Sequence, residues 1–121
     1  SDLLFPLEAI GMGLRYALFR DGPLTVGAYE LDAGSTSARL HGELLELTER
    51  QFQLALVLFR NPGRLLSRQY LLEAVWGLNA QVQTRTLDIH VSQLRTLLRL
   101  ADNGWRISSV YAHGYRLEPL A

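Results

Sequence analysis

The sequence contains no cysteine and no lysine. Without cysteine there is neither a disulfide nor a thiolate metal site, and a reducing cytoplasm is the compartment that such a chain fits. No apolar run approaches the roughly 20 residues that a membrane-spanning helix needs. No basic-then-apolar leader is read either, so a cytoplasmic, membrane-free protein is expected. Net charge is also missing, since twelve arginines stand against twelve acids in 121 residues. Phosphate-cradling glycine loops, nucleophile elbows and metal-ligand spacings are absent as well. His41, His90 and His113 are too scattered for a metal site. No catalytic residue, cofactor or metal is therefore expected.

What remains is a chain of ordinary globular composition, 48% hydrophobic and 20% charged, long enough for one domain with its own core. Its charge is unevenly spread. Residues 1–61 carry five arginines and eight acids, or −3, while residues 62–121 carry seven arginines and four acids, or +3. Arginine is the better bidentate partner for guanine and phosphate, but a GC-rich genome produces the same preference over lysine. The location of the charge is therefore more informative than its residue type.

Residues 6–20 place Leu7, Ile10, Leu14, Ala17 and Leu18 at helical spacing after Pro6, and a helix is expected there, with a strand as the alternative. Asp21-Gly22-Pro23 breaks it. Short β-prone pieces at 24–26, 28–31, 37–40 and 43–47 alternate with turn residues and predict a small antiparallel sheet. Thr48-Glu49-Arg50-Gln51 is a capping-box signature. It opens a helix over about 49–60 that is apolar on nearly every side and hence central. Asn61-Pro62-Gly63 ends that helix. Leu65-Leu66 then suits a two-residue strand, and Ser67 caps a short helix running to Trp76.

A polar loop, 77–83, leads into residues 85–99, with Thr84 the expected cap and Asn103-Gly104 the expected stop. Leu87, Val91, Leu94 and Leu98 form one face of this helix, the spacing of a core contact. Arg85, Asp88, Ser92, Arg95 and Arg99 lie opposite, with Ile89 exposed beside them. Residues 105–110 and 115–118 form a hairpin turning through 112–114. Three helices and a terminal hairpin, with a short strand before the second helix, make an α+β winged helix-turn-helix. Its parts are a three-helix core, an N-terminal small antiparallel sheet and a C-terminal β-hairpin wing. Such a helix can push a cationic face into a DNA major groove, about one helix wide.

Five blocks in order, L-T-E-R-Q-F (47–52), N-P-G-R-L-L-S-R (61–68), L-L-E-A-V-W-G (71–77), R-T-L-D-I-H-V-S-Q-L-R (85–95) and H-G-Y-R-L (113–117), resemble the DNA-binding domain of OmpR/PhoB-type response regulators. The resemblance covers about residues 23–119. It implies a winged-helix domain over 23–121, with residues 1–22 the remnant of a receiver domain's last helix plus a linker. It also implies a receiver domain in cis whose phosphorylation promotes a homodimer on tandem double-stranded DNA sites. By that resemblance Arg85 meets the DNA backbone, His90 a phosphate, Arg95 a base and Ile89 a thymine methyl. Arg64 and Arg68 suit backbone contacts at the start of the second helix. The loop Leu78, Asn79, Ala80, Gln81 and Val82 matches the segment that relatives present to RNA polymerase, with a plain connector as the alternative. Asp88 is read as a local partner for arginines, Tyr115 as wing core, and Trp76 and Trp105 as packing residues.

The departures from the family pattern carry consequences. Ser92 and Gln93 stand where relatives often have arginines, and Gln93 suits bidentate reading of adenine. In the wing, over residues 109–114, Ser109 and Tyr111 are the expected contacts, and Tyr111 replaces the usual minor-groove arginine. Fewer phosphate contacts predict weaker binding with a shallower salt dependence. The alternative function is a winged-helix interaction module with little DNA affinity. Its partner is then the polymerase, a receiver domain or a second copy of the chain.

Overall fold

The computed structural model describes residues 23–79, 81–111 and 113–120. The helix expected over 6–20 and the proposed boundary at residue 22 lie outside them, as does Ala80. The described chain opens with β1 (Leu24–Val26), β2 (Tyr29–Asp32), β3 (Ser37–Leu40) and β4 (Glu43–Leu45), an antiparallel meander in sequence order. Alternation builds its two faces: Tyr29, Leu31, Ala38 and Leu40 are buried, while Glu30 and Arg39 point to solvent. His41 and Gly42, both at positive φ, make the tight turn between β3 and β4.

Helix α1 (Glu49–Phe59) starts at the predicted capping box, with Thr48 and Gln51 exchanging both side chain–backbone bonds. It buries Phe52, Leu54, Ala55, Leu56, Leu58 and Phe59 and forms the middle of the core. Strand β5 is Leu66–Ser67, one residue later than expected. Ser67 does double duty, because its hydroxyl also accepts from Tyr70 N–H and caps α2 (Arg68–Trp76). Helix α3 (Thr84–Leu97) buries Leu87, Val91 and Leu94 beneath it. A 3₁₀ turn at Ala101–Asn103 leads to β6 (Trp105–Val110) and β7 (Gly114–Pro119). In the second sheet β7 lies between β5 and β6.

Both ends of α3 differ from the sequence expectation. Thr84 is its first helical residue, and the cap is Gln83, whose side chain makes no cap bond. At the other end the helix stops at Leu97, and Arg99 takes φ +50. The stop comes early because Leu98 and Leu100 are both drawn into the core, which a continuous helix does not allow for residues two apart. Gly104, left-handed at φ +84, closes the 3₁₀ turn, not the helix.

The two sheets are tied through the helices. The Tyr29 hydroxyl donates to the Leu98 carbonyl at 2.5 Å, satisfying an orphan acceptor at the end of α3. Burial pushes this phenol up to about 12, against the hydrogen bond with Asn103 and the charge of Arg99. Tyr29 packs on Phe59 at 5.0 Å, and Phe59 meets the edge of Trp105 at 6.4 Å. The wing is fastened at Gly114, where an added Cβ would stand 1.9 Å from the Leu66 carbonyl oxygen. Only glycine lets β5 and β7 approach this closely. Gly114→Ala is expected to force the strands apart and cost about 3 kcal/mol or more. Thermal denaturation checks this, and hydrogen exchange should show the added loss concentrated in β5 and β7.

Candidate nucleic-acid interface

Helical spacing sorts the residues of α3 into three directions. Leu87, Val91 and Leu94 point to the core and are fully buried. Asp88 and Arg95 stand on the flank nearest β6 and β7. Arg85, Ile89, Ser92 and Thr96 follow each other at three- and four-residue steps along the outward side, with Gln93 four residues after Ile89, and all are exposed. Ile89 keeps 46% of its surface in water, on a face with no described protein neighbour to cover it.

The flank holds the wing. Asp88 Oδ1 accepts from the Arg68 guanidinium and from the Tyr115 hydroxyl, so one carboxylate joins α2, α3 and β7. The Arg68 guanidinium also lies 5.1 Å from the Tyr115 ring centre, a cation–π distance. Burial alone would raise the Asp88 carboxyl, but hydrogen bonds from Tyr115 and Arg68 outweigh it and hold the group below its ordinary value. Tyr115 is shifted up by burial and by its bond to Asp88. The sequence reading of Asp88 as an arginine partner and of Tyr115 as wing core matches this arrangement.

Arg95 departs from its expected position. Its Nε and Nη2 both donate to the Ile107 carbonyl, at 3.1 and 2.6 Å, and its guanidinium lies 5.9 Å from the Tyr115 ring centre. The side chain is turned toward β6 instead of along the outward face. The physical reason is its position beside Leu94 and Leu98, on the edge of the core stripe. Arg99 is also displaced. Beyond the helix end its carbonyl accepts from Asn103, and its charge bears on Tyr29 of the N-terminal sheet. It does not extend the arginine edge of α3.

Other expected contacts are spread around the outward face. His90 donates through Nδ1 to the Thr86 carbonyl at 2.9 Å, and its ring stands perpendicular to Trp76 at 5.0 Å. A carbonyl can only accept, which leaves Nε2 as the ring's remaining polar atom. Gln93 Oε1 accepts from Gln51 Nε2 at 3.0 Å. Arg68 is engaged with Asp88, whereas Arg64 and Arg85 enter no ion pair among the described residues. On the wing Ser109 is exposed and Tyr111 is 90% exposed, while Ala112 lies outside the described residues. Both wing-strand arginines, Arg106 and Arg116, turn to Glu118, at 2.8 and 3.5 Å. Hydrogen bonds from Ser108 and Arg106 hold that carboxyl below its ordinary value. In the loop after α2, Leu78 is 77% exposed, and Asn79 and Gln81 are exposed with Val82 half-buried.

Two residues of this surface escaped the sequence reading. Thr96 lies four residues after Ser92, a signal that helical spacing already carried. Gln51 was read only as a helix cap, because its contact with Gln93 joins positions 42 residues apart. Among the described residues, no group of three His, Asp or Glu side chains is placed to hold a metal. No helix of the described residues is long and apolar enough to cross a membrane.

An open helix face beside a hairpin wing, mounted on three packed helices, defines a winged-helix domain. The chain belongs to the family described as "Transcriptional regulatory protein, C terminal", whose model matches residues 42–117, and the resemblance to OmpR/PhoB-type regulators is thereby borne out. The DNA-binding domain of CpxR from E. coli is 30% identical with a TM-score of 0.72, covering 82% of this chain and 98% of that one. The Klebsiella pneumoniae RstA DNA-binding domain, solved in complex with the RstA box, is 26% identical with a TM-score of 0.69. That match covers 80% of this chain and 97% of the RstA domain. The heme response regulator HssR of Staphylococcus aureus is 26% identical over 118 residues, 98% of this chain and 52% of HssR. The chain thus spans about half the length of the curated relatives it matches.

The Asp88 junction predicts an acid-dependent stability. A carboxyl whose folded pKa is depressed stabilises the fold fully above its unfolded value, about 4, and loses that contribution as pH falls through the folded value. Asp88→Asn should therefore be less stable than the parent at pH 7, by no more than about 1 kcal/mol because the pair is partly exposed. Denaturant titrations should show the gap closing as the pH drops below about 4.

Proposed function

We propose that this chain binds double-stranded DNA in a sequence-selective manner, as the effector end of a bacterial two-component transcription regulator. The observation that carries the reading is the outward face of α3, where Arg85, Ile89, Ser92, Gln93 and Thr96 stand exposed beside a wing locked to the same helix. In this reading α3 enters the major groove and the wing, residues 109–114, lies beside the minor groove. Arg85, which enters no ion pair among the described residues, meets a phosphate at the groove edge, with Arg64 a second backbone contact. Ile89 is the apolar contact for a thymine methyl. His90, with Nδ1 committed to Thr86, meets the DNA backbone through its remaining ring nitrogen. Tyr111 and Ser109 supply the wing's contacts, with the Tyr111 ring against a sugar edge in place of a minor-groove cation.

Arg95 is assigned to the wing in preference to a base, because its bonds to the Ile107 carbonyl hold β6 against α3. Residues 1–22 act as the linker from a preceding receiver domain, whose phosphorylation brings two copies onto tandem sites. Leu78, exposed in the loop after α2, serves with Asn79, Gln81 and Val82 as a contact for RNA polymerase. The protein works in the cytoplasm and performs no catalysis. A second reading, an interaction module with little DNA affinity, draws on the wing, whose two strand arginines are held by Glu118.

Fluorescence anisotropy with DNA from the protein's own upstream region and a scrambled control, over about 50–200 mM salt, tests the reading. Tighter binding to the native duplex than to the scrambled one, weakening as salt rises, supports DNA recognition. No binding to either duplex by folded protein, even as an enforced dimer, shifts the assignment to the interaction module. Arg85→Ala should weaken all sequences alike and lower the salt slope by about one. Arg95→Ala should cost about 1–2 kcal/mol of stability, the worth of charged hydrogen bonds near a surface, and weaken all duplexes together. A loss confined to one base pair, with stability unchanged, would return Arg95 to base reading.

A further inference from the structure

We propose that Gln93 selects guanine, and that Gln51, a residue outside the recognition helix, imposes that choice by fixing which end of the Gln93 amide faces the groove. The proposal rests on the DNA-binding reading above. The oxygen and nitrogen ends of a glutamine amide have nearly the same shape, so their orientation follows from their partners. Here the chain of partners begins at a group with a single possible role. The backbone N–H of Thr48 can only donate, and it lies 2.9 Å from Gln51 Oε1, which must accept. The reciprocal bond, Gln51 N–H to Thr48 Oγ1 at 3.2 Å, keeps the two residues in register.

With its oxygen committed, Gln51 has only its nitrogen to offer across to α3. Gln51 Nε2 donates to Gln93 Oε1 at 3.0 Å. Gln93 is therefore held with its oxygen toward α1, and its Nε2, carrying two donors, is the uncommitted end. Gln93 lies four residues beyond Ile89 and three before Thr96, on the exposed side of α3. A capping box that starts α1 thus sets the polarity of a side chain on another helix.

A donor-only amide discriminates between purines. Guanine offers two acceptors in the major groove, N7 and O6, whereas adenine offers N7 beside an amino donor. The bidentate glutamine–adenine contact needs the amide oxygen as well as the nitrogen, and that oxygen is turned to Gln51. The adenine preference expected from the sequence is accordingly replaced by one for guanine.

Gln51→Glu tests the relay, because a glutamate keeps the capping box and still accepts from Thr48 N–H. Its second oxygen can only accept, so Gln93 must turn its amide over and present Oε1 outward. The 121-residue parent, Q51E and Q93A are each selected against a randomised duplex library, followed by competition with all four base pairs at the Gln93 position. The parent should favour guanine over adenine at one position by roughly three- to tenfold, the worth of one hydrogen bond. Q51E should favour a base that offers a donor, adenine or cytosine, at that same position, with the other positions unchanged. Q93A should lose preference there. A purely structural role for Gln51 lowers affinity without moving the preferred base.

An unchanged guanine preference in Q51E, or an unchanged profile in Q93A, overturns the proposal. The relay also has a readout that needs no DNA: contacts between the Gln51 and Gln93 side-chain amides in NMR spectra of the free chain. Absence of those contacts with selection intact overturns the relay alone. Their presence in a protein that selects no duplex overturns the DNA reading, and the guanine assignment with it.

Discussion

One carboxylate oxygen holds the recognition surface together. Asp88 Oδ1 takes hydrogen bonds from Arg68 at the start of α2 and from Tyr115 in β7, while its own backbone belongs to α3. The helix-turn-helix and the wing are therefore not independent parts hinged on loops. The angle between them is set at a point inside the interface, next to the residues that would meet DNA. Arg95 adds a second fastening from the same helix to the Ile107 carbonyl, and Gly114 a third where the wing crosses β5. Three constraints of different chemistry act on one hairpin, which is how a wing of two short strands keeps a defined place.

This arrangement has a consequence for charge. A net-neutral chain can bind a polyanion only if its cations are placed well, since the phosphate contribution grows with each charge brought to the backbone. Several arginines here serve the fold instead: Arg68 is held by Asp88, Arg95 by a carbonyl, and Arg106 and Arg116 by Glu118. Arg64 and Arg85 enter no ion pair among the described residues and are the cations that the DNA-binding reading assigns to phosphates. In the proposed DNA-binding reading, a small electrostatic contribution would shift the burden of recognition to base contacts and to a second copy on an adjoining site. In that reading the polarity of one glutamine amide would have more influence on site choice than it would beside a row of free arginines. The relay from Thr48 through Gln51 to Gln93 is local, inexpensive in structure and independent of the core.

Much of this was legible in the amino-acid order. The period of Leu87, Val91 and Leu94, the capping box at Thr48 and the Ser67 cap each act over a few residues, so local chemistry alone specifies them. The hairpins of the first sheet follow from alternation and turn residues in the same way. The exposure of Ile89 and the pairing tendency of Asp88 were readable from helical spacing and charge. The membership in a family of transcriptional regulators followed from motif order, because five blocks must fold around one core. What only the tertiary structure decided is where the ends of long side chains go. Arg95 turns to Ile107, Arg99 leaves the helix because Leu98 and Leu100 both seek the core, and Gln93 takes its orientation from a cap 42 residues away. A flexible side chain has many rotamers within reach of one backbone position, and its choice among them depends on partners that only the folded chain brings near.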